Sequence, residues 1–283
     1  MTSVVCWHNK KESGLWVVAD SRLSDPGRQI RLTDYFSKIH EIPLRFKYSQ
    51  FPLRTYLGSI GLAFAGSTLI AQTVKDTLIT LLGSLQTLEE IPSEVLIQKY
   101  LANDPFPLPD ITTYPSLLEI ANLTCDIISQ ALMNYESHTQ GEILLFGHCK
   151  KNNELKAFSL RFYKKSIEDQ KCLKPVDIDL SEPYIFGDRV DIVKNNIKNY
   201  EDDSRAPLKG LAKTMKDAGF AGSVGGHLQL AISNEILFKI HGIANSARDF
   251  IYAGYKLIDG DTMQFKMLGS FLIAPDTMAE HQL

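Results

Sequence analysis

The sequence has few cysteines and no cysteine pattern that would define a metal or redox site. Only four of its 283 residues are cysteine, at positions 6, 125, 149 and 172, and none forms a C-x-x-C pair. Structural zinc normally takes four ligands, so the single neighbouring pair His148-Cys149 does not predict a metal centre. The scarcity of cysteine predicts reduced thiols and a cytosolic compartment.

The sequence also lacks an excess of one charge and any long apolar run. It has 30 basic and 33 acidic residues, and no Lys/Arg-rich face is evident, which argues against a general nucleic-acid binder. No window reaches the roughly 18 consecutive apolar residues of a membrane span. No basic segment followed by an apolar stretch begins the chain, so we expect no secretory signal peptide.

Neither internal repeats nor a low-complexity linker divide the chain, and we predict a single domain over residues 1–283. The hydrophobic share of 44% and the charged share of 22% are ordinary for a soluble globular protein. Strand-like runs alternate with pairs of helices, which favours an α+β fold over alternating βαβ units. The proline-rich stretch within 86–115 is interpreted as an insertion and not as a domain boundary.

Hydrophobic periodicity and turn residues predict the elements. A hairpin is expected from strands at 3–8 and 15–19, and a second one from strands at 142–149 and 155–163. Other strands are predicted at 36–42, 56–65, 229–233, 250–257 and 263–273. Helices are predicted after Ser67 or Thr68, at 93–101 and 116–135, after a cap at Asp188, and around Pro207.

Thr2 stands directly behind Met1, at the head of the first predicted strand. A threonine with a free α-amine combines a hydroxyl nucleophile with a base, since the amine has an intrinsic pKa of about 7.7–8.0. Threonine activated by its own N-terminal amine is a known catalytic arrangement. Removal of Met1 would be enough to expose it. The alternative is an ordinary second residue, since many chains begin Met-Thr.

Two charged residues are predicted to lie beside Thr2. Asp20 ends the second strand of the hairpin, which returns to the start of the first strand. Lys38 lies early in the third predicted strand, where a lysine facing the sheet interior needs a partner, and Asp20 is suitable. Such a lysine would favour deprotonation of the Thr2 hydroxyl. Alternatively, Ala19-Asp20-Ser21 is a common strand-to-turn exit, and Lys38 is a surface lysine.

Gly66 lies where an apolar strand meets the start of a helix, in Ala63-Phe64-Ala65-Gly66-Ser67-Thr68. Backbone N–H groups at a helix start favour negative charge. Glycine also lets a substrate carbonyl approach closely, so Gly66 is a candidate oxyanion donor. The alternative is a common strand-to-helix junction. Four such residues in this order are much less expected by accident than each one alone.

With these residues in place, the sequence resembles the proteasome β-type family of N-terminal-nucleophile hydrolases. The resemblance is sharp over residues 2–82 and extends as a pattern over about 140–235. The last of the matching runs is especially similar to bacterial, ATPase-dependent proteasome-type peptidases. The runs that match are Thr2-Ser3-Val4-Val5, Val17-Val18-Ala19-Asp20-Ser21-Arg22, Ser37-Lys38-Ile39 and Phe64-Ala65-Gly66-Ser67-Thr68.

The resemblance implies a four-layer αββα sandwich of two antiparallel sheets, and oligomeric assembly. It implies Thr2 as nucleophile and base, Asp20 and Lys38 as the supporting pair, and Gly66 as oxyanion donor. Arg22 follows Asp20 as in the family pattern and is expected to stabilise that turn.

The sequence departs from the family pattern at several positions. Residues 43–56 are interpreted as an insertion, and residues after about 235 as a C-terminal extension. Asp188 follows Gly187 where the family often has serine, and it either contacts the amine or caps the helix, with the cap favoured. Ser223 matches a family serine, but the usual preceding aspartate is replaced by Phe220 or Ala221. These departures indicate a divergent bacterial or phage-like relative.

Phe64 is two residues before Gly66 on the same strand, so both are expected to face one side. It is either the floor of the first specificity pocket or a core residue.

The sequence thus predicts a cytoplasmic threonine-type endopeptidase that acts through an acyl-enzyme and needs neither metal nor organic cofactor. The expected partners are a peptide or protein substrate, further copies of the chain in a ring or spiral, and an ATP-dependent unfoldase as a candidate. Neither nucleic acid nor membrane is expected as a partner. A non-peptidic amidase or acylase, and a catalytically silent structural subunit, stay as alternatives, because fold alone does not select a substrate.

Overall fold

The computed structural model describes most of the chain and leaves out short stretches, chiefly near the C-terminus. The residues described are 2–25, 30–48, 53–88, 90–105, 107–135, 138–166, 169–219, 222–246, 249–253, 255–256, 267–268, 271–273 and 275–279. Met1, Phe220 and Ala221, on which sequence interpretations depend, lie outside them.

The strands form two large sheets and two small two-stranded ones. In chain order they are β1 Ser3–Asn9, β2 Gly14–Asp20, β3 Leu23–Asp25, β4 Ile30–Thr33, β5 Ile39–Tyr48, β6 Thr55–Gly66, β7 Leu85–Thr87, β8 Thr139–Cys149, β9 Glu154–Lys164, β10 Gln170–Cys172, β11 Val176–Asp177, β12 Tyr184–Gly187, β13 Leu228–Ser233, β14 Phe238–Ser246, β15 Asp249–Tyr252, β16 Tyr255–Lys256, β17 Met267–Leu268, β18 Phe271–Leu272 and β19 Thr277–Ala279.

The described helices lie between the strands, in the middle of the chain. They are α1 Thr68–Leu82, α2 Ser93–Leu101, α3 Leu117–Met133, α4 Val190–Lys198 and α5 Ala206–Ala218, with a 3-10 turn at Ile111–Thr113. Helix α3 begins at the predicted place because Ser116 and Glu119 form a reciprocal capping box. None of the described helices combines the length and apolar character that a membrane span requires.

The first sheet has the strand order β12-β1-β2-β13-β14-β15-β16, and the second has the order β10-β9-β8-β6-β5-β7. Neighbouring strands pair antiparallel, except that β7 runs parallel to β5 and β19 parallel to β14. The predicted hairpins β1–β2 and β8–β9 are both present, with Val4 opposite Ala19 and Ile143 opposite Leu160.

The two sheets face each other, and helices cover their outer faces. Along β1, Val4 and Cys6 pack in the core between the sheets, whereas Val5 and Trp7 pack in the core that contains α4 and α5. This alternation explains why β1 is apolar on both faces. Helices α1 and α3 cover the second sheet in the same way. The predicted four-layer αββα sandwich is therefore confirmed.

The third predicted strand corresponds to β5, and its bounds differ from the prediction at both ends. It spans Ile39–Tyr48 instead of 36–42, so Phe36 and Lys38 precede it. The backbone N–H of Lys38 donates to the Gln229 side chain at 2.9 Å, and the Lys38 carbonyl accepts from the Phe64 N–H of β6 at 3.3 Å. The described part of 43–56, which the sequence suggested as an insertion, belongs to the β5–β6 hairpin.

The last third of the chain holds a strand that the sequence prediction missed. Strand β14 lies between β13 and β15, within the proposed C-terminal extension. Its centre includes Gly242, where a Cβ would come within 2.3 Å of the Phe250 ring. A glycine inside a strand usually weakens it, and this one is required by the packing of its neighbour. Strand β12, at the edge beside β1, was also missed.

Candidate active site

Thr2 lies at the wall of a cleft between the ends of the two sheets. The residue is 5% exposed, and its carbonyl accepts a hydrogen bond of 2.6 Å from the backbone N–H of Asp188. The cleft has a volume of about 440 Å³, and Thr2, Gly66, Gly187 and Asp188 all line it. The structure therefore brings the start of β1, the end of β6 and the end of β12 together.

Asp20 and Lys38 form a fully buried ion pair behind the start of β1. Lys38 Nζ donates to Asp20 Oδ1 at 2.9 Å, and the two side chains are 1% and 0% exposed. Asp20 Oδ1 also accepts from the backbone N–H of Ser3 at 2.9 Å, directly after Thr2. The hairpin thus places the pair against Ser3, the residue that follows the candidate nucleophile.

Backbone groups complete the surroundings of this ion pair. Asp20 Oδ2 accepts from the N–H groups of Gly225 at 3.1 Å and Arg22 at 3.2 Å. Lys38 Nζ donates a second bond to the Arg22 carbonyl at 2.6 Å. An ammonium has three donors, and within the part of the chain that the structure describes two of them have partners.

The pKa of Lys38 is lowered from its ordinary value. Burial is the main cause, and the carboxylate of Asp20 opposes it without cancelling it. Burial disfavours the charged ammonium, whereas the bonds to Asp20 and to the Arg22 carbonyl favour it. The lowered pKa follows from the complete burial of Lys38.

Gln229 positions Lys38, a contact that was not predicted from the sequence. Its side-chain oxygen accepts from the N–H groups of Lys38 at 2.9 Å and Ile39 at 3.3 Å. Its side-chain amide donates to the Phe36 carbonyl at 2.5 Å. The available signal was a glutamine at the start of an otherwise apolar strand.

Arg22 holds a distant loop against the end of β2. Its Nε donates to Asp34 Oδ1 at 2.7 Å, and its Nη1 donates to the carbonyls of Gly219 at 3.0 Å and Gly222 at 2.8 Å. A Cβ at Gly225 would come within 2.5 Å of the guanidinium carbon. The guanidinium therefore fills the space that the Ser223-Val224-Gly225-Gly226 segment leaves.

Gly66 ends β6 with φ +100°, a region that side chains rarely adopt. A Cβ there would come within 2.5 Å of the Gln140 carbonyl oxygen and 2.6 Å of the Gly141 Cα. Ser67 donates its N–H to that same carbonyl at 3.0 Å, and α1 begins at the next residue. Only glycine fits at this junction, which lines the same cleft as Thr2.

Gly187 is required by the close approach of Thr2. It has φ +96°, and a Cβ would lie 2.0 Å from the Thr2 carbonyl oxygen. In the sequence analysis it served only to locate Asp188. Its role depends on the pairing of β1 with β12, where Ser3 lies opposite Gly187, so no local signal could have identified it.

Asp188 and Ser223 meet at the cleft, from elements that are distant in sequence. The Ser223 hydroxyl donates to Asp188 Oδ2, and Asp188 Oδ1 accepts from the N–H of Arg189 at 3.0 Å. Arg189, in a left-handed conformation, is the N-cap of α4, and no side chain caps it. The favoured interpretation of Asp188 as the helix cap is therefore wrong.

Phe64 is 2% exposed and belongs to the core between the second sheet and its helices. Its ring is stacked with the His40 ring, with 6.1 Å between the ring centroids. It meets the Phe36 ring edge-on, with 6.3 Å between the centroids. It is not among the described residues that line the Thr2 cleft. This placement favours the core interpretation over the pocket floor.

A polar network on the other cleft wall was not predicted. Glu142 accepts from Arg161 Nε at 3.1 Å, from Ser159 at 2.6 Å and from Tyr184. Burial and the bond to Glu142 raise the pKa of Tyr184.

Among the described residues, no group of three His, Cys, Asp or Glu side chains could hold a metal ion.

Comparison with known proteins finds similarity only at the level of structure. No protein-family model matches this chain, and no curated protein does. The chain is similar to Anbu from Hyphomicrobium sp. strain MC1, with a TM-score of 0.47 and 14% identity over 89% of this chain and 87% of that one.

Two further solved structures are similar to a comparable extent. Anbu (ancestral beta-subunit) from Yersinia bercovieri has a TM-score of 0.44 and 15% identity over 82% of this chain and 80% of that one. Eukaryotic HslV from Trypanosoma brucei has a TM-score of 0.44 and 11% identity over 82% of this chain and 99% of that one. None of the three assigns this chain a family or an activity.

Proposed function

We propose that this protein is a threonine-type amidohydrolase, most specifically an endopeptidase, with Thr2 as the nucleophile after removal of Met1. The observation that carries the proposal is the position of Thr2 on a cleft wall shared with Gly66, directly before the Ser3 N–H that binds the buried Asp20–Lys38 pair. A hydroxyl, a cation and a glycine at a helix start are the parts that acyl transfer needs.

The reaction we propose begins with attack of the Thr2 hydroxyl on an amide carbonyl. The third Lys38 donor, which we assign to that hydroxyl, favours the alkoxide, and the free α-amine takes up the proton. The Gly66 N–H binds the oxyanion of the tetrahedral intermediate. The amine then protonates the leaving nitrogen, an ester remains on Thr2, and water activated by the amine hydrolyses it. No step uses a metal or an organic cofactor.

Asp188 and Ser223 are assigned to positioning the α-amine. A carboxylate beside an ammonium raises the pKa of that amine, and Asp188 lines the cleft with Thr2. The Ser223 hydroxyl fixes the orientation of the carboxylate. The aspartate that usually precedes the family serine is absent before Ser223. Asp188, held by Ser223, would contact the amine in its place.

The partners we propose are a peptide or protein substrate and further copies of the chain, in the cytoplasm. Both ends of α1 expose large apolar side chains, with Leu69 at 59% and Leu81 at 43%. Apolar groups on an outer helix layer are suited to packing against a neighbour. An ATP-dependent unfoldase stays a candidate partner on the basis of the sequence resemblance alone.

The test is covalent labelling of the N-terminus. Purified protein is incubated with a peptide epoxyketone, which reacts with both the hydroxyl and the amine of an N-terminal threonine, and its intact mass is measured. We expect one adduct, on protein that has lost Met1, and no adduct on Thr2→Ala. Ser3→Ala is the matched control and should still be labelled. Retention of Met1 in active protein, or equal labelling of Thr2→Ala, would overturn the proposal.

Digestion of a peptide library then distinguishes a peptidase from an amidase. Cleavage inside peptides that disappears in Thr2→Ala supports the endopeptidase. Labelling of Thr2 without any peptide cleavage would instead support the non-peptidic amidase.

A further inference from the structure

Two cysteines from different elements meet behind the wall of the Thr2 cleft. Cys125 lies on α3 and Cys172 ends the edge strand β10, and their sulfur atoms are 3.2 Å apart. The two residues are 47 positions apart in sequence, and both are half-buried, so small reagents can reach them. A disulfide has a length of about 2.0 Å, and only a small approach of the two sulfurs is needed to form one.

The pair is connected directly to the cleft. Cys125 Sγ donates to the carbonyl of Leu173 at 3.1 Å, and Leu173 lines the cleft beside Thr2. Cys172 lies opposite Phe162 in the β9–β10 pairing, and Phe162 lines the same cleft. A bond between the two sulfurs would therefore fix α3 to a wall of the cleft.

We propose that Cys125 and Cys172 form a reversible intramolecular disulfide, a modification site that joins α3 to the cleft wall. The oxidant is a small-molecule disulfide. One cysteine thiolate attacks it, which forms a mixed disulfide and releases one small thiol. The other cysteine attacks the mixed disulfide, its proton passes to the departing sulfur, and a second small thiol is released. Two thiols are oxidised and one disulfide is reduced, so the exchange balances.

The surroundings of the four cysteines select this pair. The hydrogen bond from Cys172 lowers the pKa of Cys125 and raises that of Cys172, where burial adds to the effect. Cys125 is therefore the first attacking thiol and Cys172 the resolving one. Burial raises the pKa of Cys6 far above that of a free thiol, and Cys149 is buried as well. Cys6 and Cys149 are therefore internal controls, which we expect to stay free thiols.

The test uses the full chain with oxidised glutathione as the oxidant. After equilibration, the protein is denatured, free thiols are alkylated, and the adducts are counted by intact mass and mapped on peptides. We expect four alkylated cysteines in reduced protein and two after oxidation, with Cys125 and Cys172 in one crosslinked peptide pair. Reduction with dithiothreitol should restore all four.

Single variants distinguish this proposal from unselective oxidation. Cys172→Ser should stop at one glutathione adduct on Cys125, whereas Cys149→Ser should form the same crosslink as wild type. Two separate glutathione adducts in folded wild type, a crosslink to Cys6 or Cys149, or four free thiols would overturn it. The proposal does not depend on Thr2, so its outcome is independent of the labelling test above.

Discussion

Lys38 and Asp20 form a 2.9 Å salt bridge from which water is excluded almost completely, with side-chain exposures of 1% and 0%. The pair joins the loop before β5 to the end of β2, and through Ser3 it reaches the residue after Thr2. A buried pair of this kind is costly to break, because one charge is left without a partner.

Removal of one partner should destabilise the protein strongly. Lys38→Met leaves the Asp20 carboxylate buried with backbone donors but without its cation, and we expect a loss of about 3–5 kcal/mol in the free energy of unfolding. Urea denaturation measures it. Lys38→Met combined with Asp20→Asn should lose clearly less than the sum of the two single variants. Strict additivity would show that the two side chains do not stabilise each other.

Gly66→Ala tests whether the strand-to-helix junction requires glycine. The substitution places a Cβ at φ +100° and 2.5 Å from the Gln140 carbonyl oxygen. Gly219→Ala is the matched control, because Gly219 also has a positive φ, of +60°, but no atom of the described residues lies within 4 Å of its Cβ position. We expect the control to lose about 1–3 kcal/mol from backbone strain alone.

Gly66→Ala should lose more than this control in urea denaturation, and it should also abolish labelling of Thr2, because the junction shifts the proposed oxyanion donor. Equal losses in the two variants would show that the contact with Gln140 relaxes freely.

The parts of the site that a single hairpin brings together could be predicted from the sequence. Thr2 and Asp20 belong to one hairpin, whose polar turn and β-forming residues are local signals, and Gly66 marks a strand end by its position before a helix start. Asn9 stabilises the turn between β1 and β2, because its side-chain oxygen accepts from the N–H groups of Lys11 and Glu12 at 3.2 Å.

The parts that depend on distant pairing could not be predicted. Gln229 binds Lys38 across 191 positions, and Gly187 is required only because β12 lies beside β1. These two requirements come from tertiary contacts that leave no local signal. Strand β14 is a different case, because Phe238-Lys239-Ile240-His241 alternates apolar and polar residues as a half-buried strand does, and it pairs with β13. Its local signal was present and was overlooked.

His40 should make the stability of the protein dependent on pH. Burial and the charge of Lys75 lower its pKa from 6.5 to about 4, although Ser37 and Asp76 act in the opposite direction. The folded protein therefore binds fewer protons than the unfolded chain between these values. The His40-dependent part of the free energy of unfolding is therefore fully retained above about pH 6.5. It decreases as the pH falls, because protons bind the unfolded chain first, and it is lost below about pH 4.

His40→Gln should remove this pH-dependent component. The free energy of unfolding, measured with urea at several pH values across this window, should fall less steeply with decreasing pH in the variant than in wild type. Parallel curves for the two proteins would show that His40 titrates in the folded state as it does in the unfolded chain.

Asp188 should control the pH dependence of Thr2 labelling if it faces the α-amine. Its carboxylate favours the ammonium form, so Asp188→Asn should lower the pKa of the amine and move the rise of the labelling rate to lower pH. Asp191→Asn is the matched control, because Asp191 lies exposed in the first turn of α4 and carries the same charge.

Ser223→Ala separates the charge of Asp188 from its orientation. The variant keeps the carboxylate but removes the hydroxyl that donates to it. We therefore expect a lower labelling rate at every pH with only a small shift of the profile, whereas Asp188→Asn shifts the profile itself. A merely structural role would lower the labelled fraction in proportion to unfolded protein and leave the profile of the folded fraction in place.

The Asp191→Asn control decides whether the position of Asp188 matters. An equal shift in Asp191→Asn would mean that the amine senses the overall charge of α4, and Asp188 would then have no special role.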